Sequence, residues 1–206
     1  MKHRMIRLAL AALFIIPAGL SLSSCSTGKD DRNKMLISVR DQRMLLVRDG
    51  KPVKSYTVST SKFGLGSRTG SNQTPLGKME VARKIGDGYP KGMVFKSRRP
   101  TGEIIKPNAP GRDPIVGRIL WLTGKQSHNR NTFGRCIYIH GTPEEWRLGT
   151  PASYGCIRMS MHDVTDLYSR VGEGAEVQVF RGSLMDTSAG REYAKLHSRT
   201  DYVSFR

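Results

Sequence analysis

One segment of the chain holds residue types that can carry out nucleophilic chemistry. It reads Ile-His-Gly-Thr at 139–142 and, after a loop, Ser-Tyr-Gly-Cys-Ile-Arg-Met at 153–159. A cysteine attacks as its thiolate, so it needs a nearby base or positive field at neutral pH. Histidine can take the thiol proton and later return a proton to a leaving amine. Cys156 is therefore a candidate nucleophile and His140 its candidate base, with the amides of Gly155 and Cys156 as candidate oxyanion donors.

Predicted strands and one predicted helix position these residues. Apolar alternation predicts strands over 36–39, 43–48, 52–60, 78–84, 118–122, 135–140 and 175–180. Ser160 followed by Asp163 indicates a helix N-terminus, and the apolar spacing predicts a helix that Gly172 closes. His140 then ends a strand, and Cys156 lies in a turn that leads to the helix. We predict a mainly β, β-sandwich-like domain with one clear α-helix after the nucleophile turn.

Two segments fit no such element clearly. Residues 86–114 hold much of the glycine and proline. We predict an irregular insertion there, because long loops inside compact domains usually serve function. Residues 182–206 form a polar, basic tail, for which we expect helix around 191–197 and assign no role.

The N-terminus resembles an export signal. Basic residues precede an apolar run over 8–22, which predicts a signal peptide at 1–24. Leu22-Ser23-Ser24-Cys25 resembles the lipobox of bacterial lipoproteins, so we predict lipidation of Cys25 and attachment to a membrane through this lipid. An ordinary secretory signal is the alternative. Residues 25–34 are then a flexible tether, and the domain occupies 35–181. By analogy with the lipoproteins that this motif resembles, Ser26 after the cysteine implies the outer membrane, facing the periplasm, if the cell has two membranes.

The charge of the chain bears on its partners. The net charge is +17 and falls to about +14 without residues 1–24. An exported chain does not meet the genome, and its basic residues are not interleaved with aromatics, so we expect no nucleic acid partner. Anionic lipids and carboxylate-bearing peptides of the cell envelope suffice as partners, and we expect most of these charges to form a solvated basic surface. No CxxC or HxxxH spacing is present, and we predict neither a metal nor a cofactor.

The segment around His140 and Cys156 resembles the signature of the L,D-transpeptidase (YkuD-type) family. The resemblance extends over residues 35–181 and includes Thr-Pro-Leu-Gly at 74–77. It implies attack by Cys156 on the bond between the third residue, a diamino acid, and D-Ala of a peptidoglycan stem tetrapeptide. D-Ala leaves, a thioester acyl-enzyme remains, and an amine of a second stem or of an acceptor envelope protein resolves it. Hydrolysis at the same site (carboxypeptidase or endopeptidase) and non-catalytic wall binding are the alternatives.

The resemblance also assigns roles to neighbouring residues. Ser153, Tyr154 and Gly155 form the turn and oxyanion region. Substrate binding falls to Arg158, whose fixed charge suits a carboxylate, and to Gly141 and Thr142, which also support the histidine. Trp146 either lines the acyl site or packs.

Tyr154 departs from the family pattern, which usually has histidine at this position. Tyrosine can donate a hydrogen bond but is no base at neutral pH. We expect activity to be retained, because Cys156 and His140 are both present. Cys136 falls on the strand face of His140, and we predict a packed free thiol there rather than a bridge to Cys156.

Overall fold

The computed structural model describes residues 28–203, with side chains as far as residue 198. The predicted signal peptide and Cys25 lie outside the described residues. The strands are β1 (Asn33–Ser38), β2 (Arg43–Arg48), β3 (Lys51–Thr57), β4 (Gly77–Ile85), β5 (Met93–Lys96), β6 (Arg99–Ile104), β7 (Ile115–Gly124), β8 (Tyr138–Gly141), β9 (Ile157–Met159) and β10 (Glu176–Phe180). The helices are α1 (Met161–Arg170) and α2 (Ser188–Val203).

The strands of the described chain form one mixed sheet. Its order is β3-β2-β1-β10-β4-β7-β5-β6, and β8 branches from β7 to pair in parallel with β9. The main core takes side chains from most of the strands and from α1. The mainly β prediction and the helix after the nucleophile turn are confirmed.

Local sequence explains two of the boundaries. Asp49 and Gly50 both have positive φ, at 50° and 77°, as the tight turn between β2 and β3 requires. The Ser160 hydroxyl accepts a hydrogen bond from the Asp163 amide at 2.9 Å and caps α1. Val164 and Leu167 on this helix are fully buried against the sheet, and each contributes about 2 kcal/mol through burial.

Residues 86–114 are more regular than the sequence suggested. They contain the hairpin of β5 and β6, joined at Ser97-Arg98, where both residues have positive φ. Met93 and Phe95 of β5 are buried in a cluster that Cys156 also joins. The prediction of an irregular insertion is therefore wrong, and the segment covers the face that carries Cys156.

The strand before His140 is shorter than predicted. It begins at Tyr138 rather than 135, because Cys136 ends a run of turns with φ of 56°. The three-residue strand β9, directly after Cys156, is an element that the sequence pattern did not indicate. Together, β8 and β9 fix the two candidate catalytic residues on adjacent backbone segments.

Both ends of the described chain pack on the domain. Lys29 forms an ion pair with Glu80 at 2.6 Å, and the Asp30 carboxylate accepts from the Gly172 amide at 2.6 Å. The structure therefore shortens the predicted tether of 25–34.

The C-terminal tail is helical in α2, as expected around 191–197. Its Ala189 and Tyr193, with Leu184 just before the helix, pack on an apolar outer patch of the sheet formed by Leu36, Leu45, Val47 and Phe180. Neither described helix is both long and apolar enough for a membrane span.

Candidate active site

Cys156 lies in the turn immediately before β9, half-buried against β8. Its Sγ accepts a hydrogen bond from the Tyr138 amide at 3.4 Å. The thiol donates to the Cys136 carbonyl at 3.5 Å. Two backbone groups therefore hold the sulfur over the start of β8.

His140 lies on the same face of the sheet. The parallel register pairs Ile139 with Ile157 and His140 with Arg158. By this register Cys156 lies opposite Tyr138. Tyr138 and His140 share a face, because alternate residues of a strand point to the same side, so Cys156 and His140 lie on one face. Nδ1 of His140 lies 2.8 Å from the Gly141 carbonyl oxygen. A carbonyl only accepts, so Nδ1 carries the proton and Nε2 has a free lone pair.

Burial keeps both groups neutral at pH 7. His140 is only 6% exposed, and this desolvation lowers its pKa below the ordinary histidine value. Burial likewise raises the pKa of Cys156 to about 11, against the opposing hydrogen bond from the Tyr138 amide. At pH 7 the thiol is therefore almost entirely protonated. The resting site therefore holds a protonated thiol and a neutral imidazole on one face of the sheet, and the thiol needs a base to attack.

This state predicts slow alkylation of Cys156 at neutral pH. We expect the rate constant with iodoacetamide to rise about tenfold per pH unit from pH 7 toward 10, because the thiolate is the reactive form. The measurement is peptide mass spectrometry of Cys156 after timed alkylation. A rate constant that is already on a plateau at pH 7 would contradict the neutral resting state.

The nucleophile turn is held by buried polar contacts. Gly155 has φ of 115°, a conformation that favours glycine. Its amide donates to the Ser153 hydroxyl at 3.2 Å, and that hydroxyl donates to the Cys156 carbonyl at 2.6 Å. Thr74 donates from Oγ1 to the Gly155 carbonyl at 3.0 Å. The Gly155 amide is therefore engaged within the turn, contrary to its expected role as an oxyanion donor.

Arg158 is buried and ion-paired rather than presented to solvent. Its side chain is 2% exposed, and Nη1 contacts the carboxylates of Asp113 and Glu144, the latter at 3.1 Å. Nε and Nη2 have no hydrogen-bond partner within the described residues. The Thr142 hydroxyl donates to the same Asp113. The structure thus differs from the expectation that Arg158 meets a substrate carboxylate, because its charge is balanced internally beside His140.

We predict that this buried cation makes Asp113 important for stability. Asp113→Asn should lower the free energy of unfolding by about 2 kcal/mol, because it removes one of the two carboxylates that balance Arg158. The matched control is Glu103→Gln, which breaks the exposed pair with Arg112 and should cost less than about 0.5 kcal/mol. Urea denaturation at pH 7 measures both. Equal effects would show that the buried cation does not depend on Asp113.

Gly141 is confined by the neighbouring strand. A Cβ at this position would lie 2.6 Å from the Val116 carbonyl oxygen, so no larger residue fits without a shift. Gly141 and Thr142 are both buried. Their contacts support His140 and Arg158. Because both residues are buried, neither is exposed to contact a substrate.

Tyr154 is exposed beside the nucleophile turn. Its side chain is 62% exposed, and its hydroxyl accepts a hydrogen bond from Lys62 Nζ at 3.0 Å. The Phe63 ring lies 5.3 Å from the Tyr154 ring, centroid to centroid. The residue that replaces the usual histidine therefore points outward and forms the rim of the site with Lys62 and Phe63.

Trp146 is also exposed, at 71%, and the Arg147 guanidinium lies 5.4 Å from its ring centroid. It is not packed in the core, so the structure disfavours the simple-packing alternative.

Cys136 and Cys156 are both free thiols, as predicted. Cys136 lies in the turn before β8 rather than on the strand.

Two site residues escaped the sequence interpretation. Asp113 balances Arg158, and Arg135 fixes the loop at 66–73 by donating to the Gly66 carbonyl at 3.1 Å and the Gln73 carbonyl at 2.7 Å. No sequence signal marked either residue, because the burial of Arg158, which creates the need for a carboxylate, is itself a tertiary property. The described residues contain no group of three or more His, Cys, Asp and Glu that could hold a metal.

Comparisons of the sequence with known proteins identify the family of this chain. A sequence profile of the L,D-transpeptidase catalytic domain (YkuD) matches residues 32–179. YqjB of Bacillus subtilis (strain 168), which carries the name L,D-transpeptidase, is 25% identical over 145 residues, covering 70% of this chain and 69% of that protein. The chain therefore belongs to the L,D-transpeptidase catalytic domain family.

Solved structures of L,D-transpeptidases are also similar. One from Mycobacterium smegmatis is 16% identical, with a TM-score of 0.48 over 72% of this chain. Another from Mycobacterium tuberculosis H37Rv is 18% identical, with a TM-score of 0.47 over 73% of this chain. The chain spans 58% of the length of each. Family membership supports an enzyme of the L,D-transpeptidase kind.

Proposed function

We propose that the protein is a cysteine-dependent L,D-transpeptidase acting on peptidoglycan stem tetrapeptides. The observation that carries the proposal is the arrangement of Cys156 and His140 on one sheet face, with His140 Nδ1 fixed by the Gly141 carbonyl. That arrangement leaves Nε2 as a base for a thiol that is protonated at rest. Membership of the L,D-transpeptidase family supports this substrate class.

The first half-reaction forms the acyl-enzyme. The thiol turns from the Cys136 carbonyl, its proton passes to His140 Nε2, and sulfur bonds to the carbonyl carbon of the third stem residue. The Cys156 amide is the proposed oxyanion donor, because the Gly155 amide is engaged with Ser153. The bond to D-Ala breaks, and the imidazolium returns its proton to the departing amine. A thioester on Cys156 and free D-Ala result.

The second half-reaction transfers the acyl group to an amine. His140 removes a proton from the acceptor amine, the C–N bond forms, and the Cys156 thiol is regenerated. A second stem peptide gives a 3→3 crosslink, and a lysine of an envelope protein gives attachment of that protein to the wall. Both acceptors require the same donor chemistry.

Product analysis tests the proposal. The purified domain is incubated with peptidoglycan rich in tetrapeptides, which is then digested to muropeptides and separated by mass. We expect free D-Ala and new 3→3 dimers. Tripeptides without dimers would instead assign hydrolysis to the same site. Unchanged tetrapeptides would overturn the enzymatic proposal and favour a non-catalytic wall-binding protein.

We also propose that the enzyme works at the cell envelope, anchored through lipid on Cys25. The lipobox-like residues 22–25 and the basic charge support this location. Cys25→Ser should move the protein from the membrane fraction to the soluble fraction, because the acyl chains supply the attachment. Fractionation of cells that express each form, followed by immunoblotting, measures the shift. An unchanged membrane fraction would contradict the lipid anchor.

A further inference from the structure

Arg98 places a second guanidinium on the face of the sheet that carries Cys156. It stands at the turn of the β5–β6 hairpin, where Ser97 and Arg98 have φ of 49° and 67°. Two residues with positive φ form a tight hairpin turn that joins the strands in one geometry. Phe95 and Met93 bury the base of this hairpin in the cluster that includes Cys156. The position of Arg98 is therefore set by packed structure.

Aromatic residues hold the Arg98 side chain in place. Its Cζ lies 4.7 Å from the centroid of Trp121, which stacks on Phe133 at 4.0 Å. Trp121 is itself fixed, since its Nε1 donates to the Phe133 carbonyl at 3.0 Å. Arg98 Nη1 donates to the Tyr138 hydroxyl at 3.3 Å and lies 3.8 Å from Cys136 Sγ. Stacking and hydrogen bonding together remove much of the rotational freedom of the side chain.

The charge of Arg98 is not neutralised by the protein. Among the described residues, no carboxylate lies within ion-pair distance of Arg98. Only Nη1 has a hydrogen-bond partner there, so Nε and Nη2 remain as donors. Arg158, by contrast, is buried and paired with two carboxylates. A fixed, partly exposed guanidinium with two open donors has the geometry to bind a carboxylate in bidentate fashion.

The link to the reaction runs through Tyr138. Its amide holds the Cys156 sulfur, and its hydroxyl accepts from Arg98. Arg98 is thus one tyrosine side chain from the nucleophile, on the same face. A peptide bound for attack by Cys156 has two nearby carboxylates of its own. One is the terminal carboxylate of D-Ala, and the other is the second carboxylate that some diamino acids carry at the third position.

We propose that Arg98 is a specificity-determining residue that binds a carboxylate of the acyl-donor peptide. This inference rests on the proposed function, because it takes the stem tetrapeptide as donor. It assigns to the 86–114 segment a part in substrate recognition. The guanidinium selects donors with a carboxylate at the matching position over donors in which that carboxylate is amidated.

The test compares three soluble donors in an assay that measures release of the fourth residue. The first has both carboxylates free, the second has the side-chain carboxylate of the third residue amidated, and the third ends in D-alaninamide. Wild type, Arg98→Met, Arg98→Lys and Arg99→Met are compared on each. Arg99 is the matched control, because it is an exposed neighbour on β6.

We expect Arg98→Met to lower kcat/KM on the first donor by about 20-fold, mainly through KM, as the loss of one charge-assisted contact implies. Arg98→Lys should lose less, because it keeps the charge without the fork. The penalty should vanish on one amidated donor, and the identity of that donor shows which carboxylate Arg98 binds. Arg99→Met should match wild type on all three donors.

Three results would overturn the inference. An equal penalty for Arg98→Met on every donor would show that Arg98 acts through the fold or through Tyr138. Unchanged kinetics of Arg98→Met on the first donor would show that it contacts no carboxylate. A wild-type enzyme inactive on all three donors would refute the proposed function itself, and the inference with it. That last result is distinguished from the other two because it appears without any substitution.

Discussion

Replacing Cys156 with alanine should reduce D-Ala release from a tetrapeptide donor by at least about 10⁴-fold, because no covalent intermediate can form. The side chain is half-buried, and its sulfur forms hydrogen bonds only with backbone groups. Loss of one sulfur atom should therefore leave the fold intact. The measurement is a coupled assay that detects released D-Ala at a saturating donor concentration, with circular dichroism to confirm folding.

Cys136→Ala is the matched control for this experiment. Cys136 is the other free thiol of the described chain and contributes its backbone carbonyl, not its side chain, to the Cys156 sulfur. We expect its activity to stay within about twofold of wild type, as for a substitution outside the reacting atoms. Retained D-Ala release in Cys156→Ala, or its loss in Cys136→Ala alone, would mean that the nucleophile has been misassigned.

Replacing His140 with asparagine should lower kcat/KM at pH 7 by about 10²- to 10⁴-fold, the usual contribution of a positioned general base. The loss in kcat/KM is large because the resting thiol is neutral, since burial raises its pKa to about 11. Without the imidazole, almost no thiolate is available at pH 7. His162→Asn is the control, because His162 is exposed in the first turn of α1 and should leave the rate unchanged.

The pH profile separates a base from a structural residue at position 140. The pKa of His140 lies below the ordinary value because the ring is buried, so the neutral base persists as pH falls below 6.5. The wild-type acid limb should therefore lie below pH 6.5. In His140→Asn the rate should instead rise with pH toward about 11, as the thiol ionises unaided. A uniform loss with an unchanged profile would indicate that His140 only maintains the structure.

Much of this site was accessible from sequence because its signals are local. The spacing of His140 and Cys156, the capped helix at Ser160 and the hairpin at Asp49-Gly50 each depend on residues close together in the chain. Such local signals predict the structure correctly because the same residues determine the backbone conformation there. The family resemblance then linked the two candidate catalytic residues, which spacing alone did not bring together.

The remaining features depend on contacts that cross the chain. Asp113 pairs with Arg158 from a segment 45 residues away, and no local pattern marks that pairing. The orientation of Arg158 could not be read from its charge, because pairing and solvent exposure are tertiary properties. The β5–β6 hairpin was hidden by glycine and proline, which are common in loops but also permitted in a short edge strand such as β6.

The most direct test of the central claim is intact-protein mass spectrometry of the acyl-enzyme. The purified domain is mixed with a tetrapeptide donor without an acceptor amine, quenched in acid within seconds, and digested to locate the modification. We predict a mass gain equal to the donor minus D-Ala, carried by the peptide that contains Cys156 and absent in Cys156→Ala. A gain on another residue, or D-Ala release with no covalent intermediate in a time course, would contradict the account.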